Sequence, residues 1–597
     1  MKNDITRETY RAFRHYSGVL MQQGRVQLDA DWNEQVAINH HYLRQLTIDL
    51  VGPVGVPAGN AGFIAMSLDS VAAKPGTDIA FTPGHCYVDG ILCECDATAV
   101  PVGFAEKTVF TVPRWVVDGV AFDAGQYLWV SDTSPTPVAA PMLVRIASVD
   151  FTKMQVTPAQ DVSAFSGSGN VRIRRFFTFL TQPDYMPPAL PAPGTYQMYL
   201  DVWERLIGYV ENDAIREVAL NGPDTAGRSK VVWQVKLLPA ANTATNSDGN
   251  PVCITPQALT TLLQPGNLAL LRARTQPAQT SDDPCTIAPD SLYRGPENQL
   301  YRVEIHDGSL TPDGKPQQPT FKWSRENGAV VFPIVSGAGT STLTLENLGR
   351  DDRFTLNAGD FVEVQDDVSV LQGCVTRLYQ VQSIDRSRLT VTLNAATNTT
   401  IGGDPTRHPL LRRWDHKQGD ASAGGLTLAS DNAAQVVSGS PAPWLNLEDG
   451  VQVQFSDPAS TVYRPGDYWL IPARVATGDV EWPSETILLP QNKSLTQQVA
   501  LPSFGVVHHY APMAVVTISA NGFGVANSCM PIFPTLEALA TSRLTPLSPP
   551  VATPAAPASP APPPRPASPV TGPVAPIITP VAHPATPGET PGTGGGG

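Results

Sequence analysis

The residues best suited to hold a metal ion are three cysteines in one short stretch. An Asp-Gly pair at 89–90 lies between Cys86 on one side and Cys93 and Cys95 on the other. The alternating apolar residues around this pair predict a β-hairpin that turns there. Cys86 then faces Cys93 across the hairpin, and soft ligands at that separation could hold zinc. His85 points to the opposite face from Cys86, so four ligands do not converge easily. We therefore assign no metal and no cofactor; zinc, a disulfide and a reduced pair packed as small apolar side chains stay open.

Two other patterns contain residue types that bind metals. His-His-Tyr occurs at His40 and again at His508, but neighbouring side chains point apart on a helix or a strand, so we expect aromatic packing and hydrogen bonding. The acidic loop at 306–315 misses the spacing of an EF-hand and lacks its final Glu. Its carboxylates are expected to cap turns.

Tryptophans offer a different chemistry, because exposed indole rings can line a sugar-binding groove. Most of the six candidate tryptophans lie inside alternating strands, where burial is the usual outcome. They are Trp203, Trp233, Trp323, Trp414, Trp469 and Trp482.

No catalytic motif supports an enzymatic function. The sequence has no Walker A loop, HExxH helix, GxSxG elbow or GxGxxG motif after a strand. No spacing forces the paired carboxylates that a glycan hydrolase needs. We nominate no catalytic residue and expect a protein that is not an enzyme.

The composition favours many short strands joined by turns. Among 597 residues, 16% are charged, while 48 are glycine and 58 are proline. A chain of this length exceeds one hydrophobic core. The net charge of −14 argues against binding to nucleic acid or to an anionic membrane surface.

The sequence shows no element that targets or crosses a membrane. Its first residues are polar, which predicts synthesis in the cytoplasm without a signal peptide, and no apolar run approaches the ~20 residues of a membrane span. Seven cysteines in so long a chain do not predict a secreted disulfide framework.

The elements point to a mainly β chain of several small antiparallel sandwich or barrel modules. We predict an N-terminal amphipathic helix and a disordered, proline-rich C-terminal tail, since 17 of the last 53 residues are proline. The predicted divisions are a docking segment at 1–50 with a helix at 32–50, a β domain at 51–168, a β domain at 169–299 with a short helix near 213–220, β modules at 300–400 and 401–530, a short helix at 531–544, and the tail at 545–597.

The N-terminal segment combines a Gln-Gly turn, a short extended run and a capped helix. Asp31 is predicted to cap the helix, with Glu34 completing a capping box. Trp32, Val36, Leu43, Leu46 and Leu50 then recur at helical spacing, so one face is apolar. That face must pack either on the chain's own body or on a neighbouring subunit. For the second case the docking residues are Leu20, Val26, Leu28, Asp31, Trp32, Glu34, Val36 and Leu43.

Several of these stretches resemble a domain family of unknown function whose members occur in bacterial gene clusters for extracellular contractile injection systems, the phage-tail-like particles. The resemblance spans residues 16–509. Residues 19–34 are also similar to N-terminal segments of phage baseplate and tail-fibre proteins. The stretches that carry the family resemblance are 17–35, 199–236, 300–308, 321–334, 412–416 and 463–483.

The resemblance implies a structural component of a virion-like particle, at the baseplate or its periphery, attached through its N-terminal segment. Its partners would be other particle subunits, such as baseplate, sheath, spike or fibre proteins, within an oligomeric assembly. It implies a particle that is cytoplasmic or released outside the cell by lysis. The family has no established catalytic residues to transfer. The alternative function is a carbohydrate-binding adhesin or receptor-binding module.

Overall fold

The computed structural model describes residues 1–68, 78–185, 187, 189–240, 245, 251–264, 266–277, 292–311, 314–439, 441–489, 493–520, 522–535 and 538–539. The chain divides into two units, Met1–Leu536 and Glu537–Gly597. The strands and helices described below lie in the first unit. The tail predicted at 545–597 lies outside the described residues.

The first half of the described chain consists of one long helix, one short helix and seventeen strands. They are α1 (Asp29–Val51), β1 (Val54–Pro57), β2 (Ala65–Met66), β3 (Ala80–Phe81), β4 (His85–Val88), β5 (Ile91–Glu94), β6 (Val100–Pro101), β7 (Gly103–Glu106), β8 (Val109–Thr111), β9 (Val116–Val117), β10 (Val120–Ala121), β11 (Tyr127–Asp132), β12 (Met142–Asp150), β13 (Gln155–Pro158), β14 (Val171–Phe176), β15 (Gly194–Ile207), β16 (Arg228–Pro239), α2 (Pro256–Leu263) and β17 (Leu270–Thr275).

The second half continues in the same style, with one short helix among nineteen strands. They are β18 (Gln299–Asp307), β19 (Thr320–Ser324), β20 (Val331–Ser336), β21 (Thr342–Leu345), β22 (Phe361–Gln365), α3 (Asp367–Leu371), β23 (Leu378–Asp385), β24 (Thr390–Leu393), β25 (Leu410–Trp414), β26 (Ala434–Gln435), β27 (Leu445–Asn446), β28 (Val451–Phe455), β29 (Tyr468–Arg474), β30 (Asp479–Val480), β31 (Ser484–Leu489), β32 (Lys493–Gln498), β33 (Leu501–Pro502), β34 (His509–Ser519), β35 (Gly522–Ser528) and β36 (Ile532–Phe533).

The predicted fold class is confirmed: the protein is mainly β, and its sheets are small and antiparallel. Within the described ranges, one strand pair of the named sheets is parallel, between β1 and β36. The longest pairing joins β15 to β16, and β15 also pairs with β34 on its other edge. Along β15, Met198, Leu200 and Val202 face the first core, whereas β34 is apolar and buried without a break from Tyr510 to Val516.

The first core lies between the predicted hairpin and the β15 sheet. The hairpin β4–β5 turns at Asp89 and Gly90, both at positive φ, and it places Cys86 opposite Cys93 as predicted. Its buried side chains pack with those of β15, β16 and β34. A separate core fills the seven-stranded sheet β6-β14-β11-β12-β13-β8-β7.

The second half contains a barrel inserted into a sandwich. β17 and β28 of one sheet pack against β18, β19 and β29 of another. Between β19 and its partner β26 the chain leaves this sandwich and builds the closed barrel β20-β21-β24-β23-β22-β25, which has its own core.

These cores cut across four of the predicted domain divisions. Residues 54–95 share their main core with residues 198–235 and 511–530, and only a smaller cluster joins Leu68 and Ala80 to Tyr127. β17, placed in the division 169–299, packs in the sandwich with strands from both 300–400 and 401–530. Turn and strand signals are local, whereas the pairing of strands hundreds of residues apart leaves no local signal.

Two predicted helices differ in the structure. The short helix near 213–220 is two 3₁₀ turns, Asp213–Ile215 and Val218–Leu220. Asn212 and Glu217 cap them, each accepting an amide hydrogen two residues on. Each turn is limited to three residues, since Arg216 is extended and Asn221 is left-handed. Within the helix predicted at 531–544, Ile532 instead pairs with Val56 in a sheet. Most of the remaining residues of that stretch lie outside the described ranges.

A disulfide between Cys253 and Cys529 has no counterpart in the sequence patterns. It links the segment before α2 to the end of β35, across 276 residues of sequence. Sequence spacing this large gives no pairing signal, and only the β34–β35 hairpin brings the second cysteine to the first.

Candidate functional site

Residues 1–14 lie on the body of the first unit and do not project from it. The side chain of Asn327 donates hydrogen bonds to the carbonyls of Met1 and Asn3, at 3.0 and 2.8 Å. Ile5 packs in a small cluster with residues of β18 and β29. This part of the predicted docking segment therefore belongs to the folded body.

The chain then runs through the predicted turn and extended run before α1. Arg25 N donates to the carbonyl of Gln22 at 3.3 Å, and Gly24 has a φ of 70°, so the turn is present. Residues 25–28 are extended but pair with no strand in the part of the chain that is described. Val26 is 83% exposed. Within the described chain the backbones of Val26 and Gln27 have no hydrogen-bond partner and are thus available to a neighbour, whereas the amides of Arg25 and Leu28 already bond to Gln22 and Asp31.

The helix begins earlier than predicted, at Asp29 and not at 32. Leu28 is the N-cap, and Asp31 at the third helical position accepts the Leu28 amide at 3.1 Å, which is the carboxylate half of a capping box. Glu34 instead accepts the Thr9 hydroxyl at 2.6 Å. Both polar residues of the predicted docking set are therefore bound within the chain. Asp31 bonds to the nearby Leu28 amide, and Glu34 bonds to Thr9, a contact that the local pattern cannot reveal.

One side of α1 is attached to the body. Ala30 and Ile38 are its two buried residues. Arg44 forms an ion pair with Glu204 of β15 at 2.8 Å. The hairpin turn fits closely beneath it, since a Cβ at Gly90 would lie 2.4 Å from the Arg44 carbonyl oxygen.

The other side of α1 is an exposed apolar stripe. The stripe runs along six positions that are spaced alternately by four and three residues: Trp32, Val36, Asn39, Leu43, Leu46 and Leu50. On a helix of 3.6 residues per turn they fall within an arc of about 80°. We call these six residues the seam. Its apolar members are 37% (Val36) to 74% (Leu50) exposed.

The apolar docking residues that precede the helix extend the same exposed surface. Leu20 is 89% exposed and Leu28 is 45% exposed. Residue 19 is fixed to the helix, since Gln35 accepts its amide hydrogen at 2.7 Å. The structure thus presents all six apolar residues of the predicted set to solvent: Leu20, Val26, Leu28, Trp32, Val36 and Leu43.

The three candidate metal-binding cysteines are buried in the first core. Cys86, Cys93 and Cys95 are free thiols with at most 2% exposure. Burial raises the pKa of the Cys86 and Cys95 thiols, so they stay protonated and pack as apolar groups. No group of three or more metal-ligating side chains occurs in the described ranges. His85 is occupied elsewhere, with its Nδ1 3.0 Å from the Asn60 amide nitrogen.

The tryptophans do not form an exposed row. Five of the six are buried, and Trp482 is half-buried against the sandwich core, where its indole N–H donates to the Val499 carbonyl at 2.9 Å. The five buried ones are Trp203, Trp233, Trp323, Trp414 and Trp469.

A large polar cavity of about 1160 Å³ lies where β15, β18, the barrel and the N-terminal residues meet. Glu304 is its most heavily bonded carboxylate: its oxygens lie 3.0 Å from Lys2 Nζ, 3.6 Å from Lys322 Nζ and 2.6 Å from Arg302 Nε. Glu363 accepts from Lys322 at 2.6 Å. Burial by itself raises the pKa of Glu363, but nearby positive charges, led by Lys322, and the hydrogen bond from Lys322 together outweigh it and lower that pKa to about 2.

Two Asp–His pairs lie at the same cavity, which His508, Asp367 and His408 line. Asp201 is 2.6 Å from His508 Nδ1, and Asp367 is 2.6 Å from His408 Nδ1. Such a pair orients a general base when a hydroxyl or thiol lies near the other ring nitrogen. His508 instead stacks beside Trp203, with ring centroids 4.7 Å apart. This matches the packing and hydrogen bonding expected of the histidine pair at His508.

Sequence reasoning missed this cavity. The charged residues of the cluster around Glu304 come from positions that are far apart in the sequence: 2, 302, 304, 322, 363 and 412. The sole sequence signal is that charges occupy strand positions where apolar residues alternate on both sides, as in the run 300–306. In α1, by contrast, the apolar spacing predicted the exposed face directly.

The acidic turn at 306–315 is built as expected. Asp307 accepts the amide of Gly308 at 2.9 Å and the side-chain amide of Gln317 at 2.8 Å. Positions 312 and 313 lie outside the described residues.

Among the helices that are described, none is long and apolar enough to cross a lipid bilayer.

A model of one protein family matches most of the chain. The model of a family of unknown function, DUF6519, matches residues 1–121, 191–250 and 240–582, which is more than half of the chain. No curated protein matches the chain.

Proposed function

We propose that this chain, which belongs to the family of unknown function DUF6519, is a structural, non-enzymatic subunit of a phage-tail-like contractile injection particle, at the baseplate or its periphery. The seam is the observation that carries the proposal. A helix that covers only its own domain turns its apolar side inward, whereas α1 turns its seam to solvent.

The spacing of the seam fits another helix better than a flat surface. Apolar side chains that alternate by three and four residues form the interlocking stripe of a coiled coil. Asn39 interrupts the stripe in its middle, and a single polar residue there selects one register and one partner. The partner of the seam is thus a helix of a neighbouring subunit.

The unpaired run at 25–28 supports the same interpretation. The backbone amides and carbonyls of Val26 and Gln27 can add to the sheet edge of a neighbour, and Val26 and Leu28 supply exposed apolar side chains there. A run and a helix offered together fix the orientation of a subunit as well as its position. The similarity of residues 19–34 to baseplate and tail-fibre segments supports a tail-like particle as the setting.

A carbohydrate-binding adhesin is the alternative function. It needs two or three aromatic rings exposed on one concave face, and five of the six candidate tryptophans are buried. Their burial counts against that form of the alternative.

Fractionation of the native host's lysate by ultracentrifugation tests the proposal. Mass spectrometry of the high-mass fraction should find this chain together with sheath, tube and spike proteins. If the chain instead stays in the supernatant as a monomer or small oligomer, the proposal is wrong, and glycan-binding arrays become the next experiment.

A test of the proposed attachment must leave residues 1–14 in place. Deleting residues 1–50 would remove Lys2 and Ile5 from the body, so loss of incorporation would not identify the seam. Replacing Leu43 and Leu46 by Gln leaves residues 1–14 intact. The matched control replaces Val218 and Leu220 by Gln, since these are equally exposed apolar side chains on another surface.

A further inference from the structure

The part of the cavity around Glu304 and Glu363 holds four basic side chains, although Lys and Arg equal Asp and Glu in number over the whole lining. Three of the four pair with these two carboxylates, whereas Arg412 does not. Burying an uncompensated charge is costly, so a fold does not keep one without a reason. The cations are Lys2, Arg302, Lys322 and Arg412, and the carboxylates are Glu304 and Glu363.

Arg412 is the cation whose charge is least compensated. Its Nε donates to the Gln365 side-chain oxygen at 2.9 Å, and its Nη1 donates to the carbonyl of Gly328, which are both neutral acceptors. No carboxylate of the described residues lies within 4 Å of its guanidinium. Burial lowers the pKa of Arg412, and the more distant charge of Glu211 opposes this shift. Glu211 is itself bound by Arg205 at 3.6 Å. The Arg412 side chain is 8% exposed.

Two further groups of the cavity favour a negative charge. Burial, helped by the nearby charges of Arg302, Arg412 and Lys322, lowers the pKa of Lys2 to about 8, although Glu304 opposes the shift. His306 is 3% exposed and neither ring nitrogen has a hydrogen-bond partner, apart from a 3.6 Å approach of Nε2 to Asp431. A neutral imidazole in this position has an N–H to donate.

We propose that the cavity binds an oxyanion, a phosphate or carboxylate group, held by Arg412, Lys2 and Lys322. The guanidinium of Arg412 supplies a planar pair of donors, the geometry that phosphate and carboxylate groups match. The ammonium groups of Lys2 and Lys322, which bond to Glu304 and Glu363, line the same cavity and add positive charge. The bound anion pairs with the Arg412 guanidinium. The site is independent of the seam and of any particle.

Binding is measured on the purified full chain with sodium sulfate, sodium phosphate and sodium succinate. Isothermal titration calorimetry gives affinity, and thermal unfolding gives stabilisation, each against sodium chloride at equal ionic strength so that screening cancels. At least one of the three oxyanions should bind and raise the melting temperature beyond the chloride control. If none does, the proposal is wrong.

Arg412→Gln should weaken binding of that anion by at least about tenfold, since a charge-assisted pair of hydrogen bonds is lost. The matched control is Arg413→Gln, the next residue on β25. Its guanidinium bonds to the carbonyls of Arg353 and Thr355, pairs with Asp415 at 3.1 Å and does not line the cavity. The control should bind within about twofold of the wild type.

Lys2→Gln keeps the test decisive if Arg412→Gln does not fold, because the Lys2 side chain is partly exposed, at 25%. This variant should also bind the anion more weakly. Wild-type affinity in both cavity variants, or in Lys2→Gln alone when Arg412→Gln is unfolded, contradicts the site. Binding of sulfate and phosphate without succinate assigns a phosphoryl ligand, and succinate alone assigns a carboxylate; either result supports the proposal.

Discussion

The seam of α1 and the charged cluster around Glu304 are both surfaces without full partners, but they are incomplete in opposite ways. The seam exposes apolar side chains to water, and its six residues follow one another along a single helix. The cluster buries charged side chains, and its members come from sequence positions as distant as Lys2 and Arg412. A neighbouring helix would complete the first surface, and a small anion would complete the second.

The difference predicts how each region responds to substitution. Residues of the seam contribute little to the stability of the isolated chain, since burial has not yet occurred. Residues of the cluster contribute much, since removing one partner leaves a buried charge unpaired. Variants of both regions probe this contrast, from the largest expected loss of stability to the smallest.

Lys322→Met should cause the largest loss. Lys322 Nζ is 2.6 Å from Glu363 and 3.6 Å from Glu304, and its side chain is 5% exposed. Its removal should lower the free energy of unfolding by about 3–5 kcal/mol. Chemical denaturation followed by tryptophan fluorescence measures this, because Trp414 lies beside the ammonium group at 4.6 Å.

The control for Lys322→Met is Arg388→Met. Arg388 is 81% exposed and pairs with Asp385 on the surface, so its loss should cost under about 0.5 kcal/mol. If both variants lose less than about 1 kcal/mol of unfolding free energy, the pair that Lys322 of the sandwich forms with Glu363 of the barrel does not hold the two together.

Cys253→Ser should cause the next largest loss. The disulfide to Cys529 restricts the unfolded chain, and its removal should cost about 2–4 kcal/mol in non-reducing buffer. In reducing buffer the variant and the wild type should unfold alike. Cys374→Ser is the control, because Cys374 is a free, exposed thiol. Equal stability of Cys253→Ser and wild type without reductant would mean that the bond does not form in solution.

His306→Leu should remove part of the sensitivity to acid. Burial first, and then the charge of Lys322, lowers the pKa of His306 to about 3, although Glu363 and Glu304 oppose this and His416 adds to it. Between an unfolded pKa near 6.5 and this folded value, only the unfolded state takes up the proton, so falling pH destabilises the fold. Asp431, 3.6 Å away, is the remaining charged neighbour.

Because of this one histidine, the free energy of unfolding of the wild type should fall by about 2 kcal/mol more than that of His306→Leu between pH 7 and pH 5. Denaturant titrations of both proteins at the two pH values measure the difference. Parallel losses in the two proteins would show that His306 is protonated in the folded state.

Gly90→Ala should loosen the attachment of α1. Gly90 has a φ of 75°, which costs an alanine about 1–2 kcal/mol, and the new Cβ would also press on the Arg44 carbonyl. Gly119→Ala is a matched control, since Gly119 has a φ of 77° but open space around its Cβ position.

The two glycine variants should share the backbone strain, and only Gly90→Ala should speed hydrogen exchange in α1. Faster exchange in both, or in neither, would show that α1 does not depend on its contact with the hairpin turn.

The two regions also differ in how far the sequence revealed them. The apolar spacing of α1, the hairpin at 89–90 and the mainly β class are local patterns, and the structure has them. The helix starts earlier than its local pattern predicts, because Thr6 and Thr9 hold Asp29 and Glu34 through contacts that only the fold creates. The composition of the cavity and the insertion of the barrel follow from strand pairing over long separations, which single-strand patterns do not specify.

Incorporation of seam variants into particles tests the central claim most directly. In the native host, the chain with Leu43→Gln and Leu46→Gln is compared with wild type and with the Val218→Gln, Leu220→Gln control. Stability should change by under about 0.5 kcal/mol in both variants. The account predicts that the seam variant alone is lost from the sedimenting particle fraction while remaining folded in the supernatant. Normal incorporation of the seam variant would contradict the account.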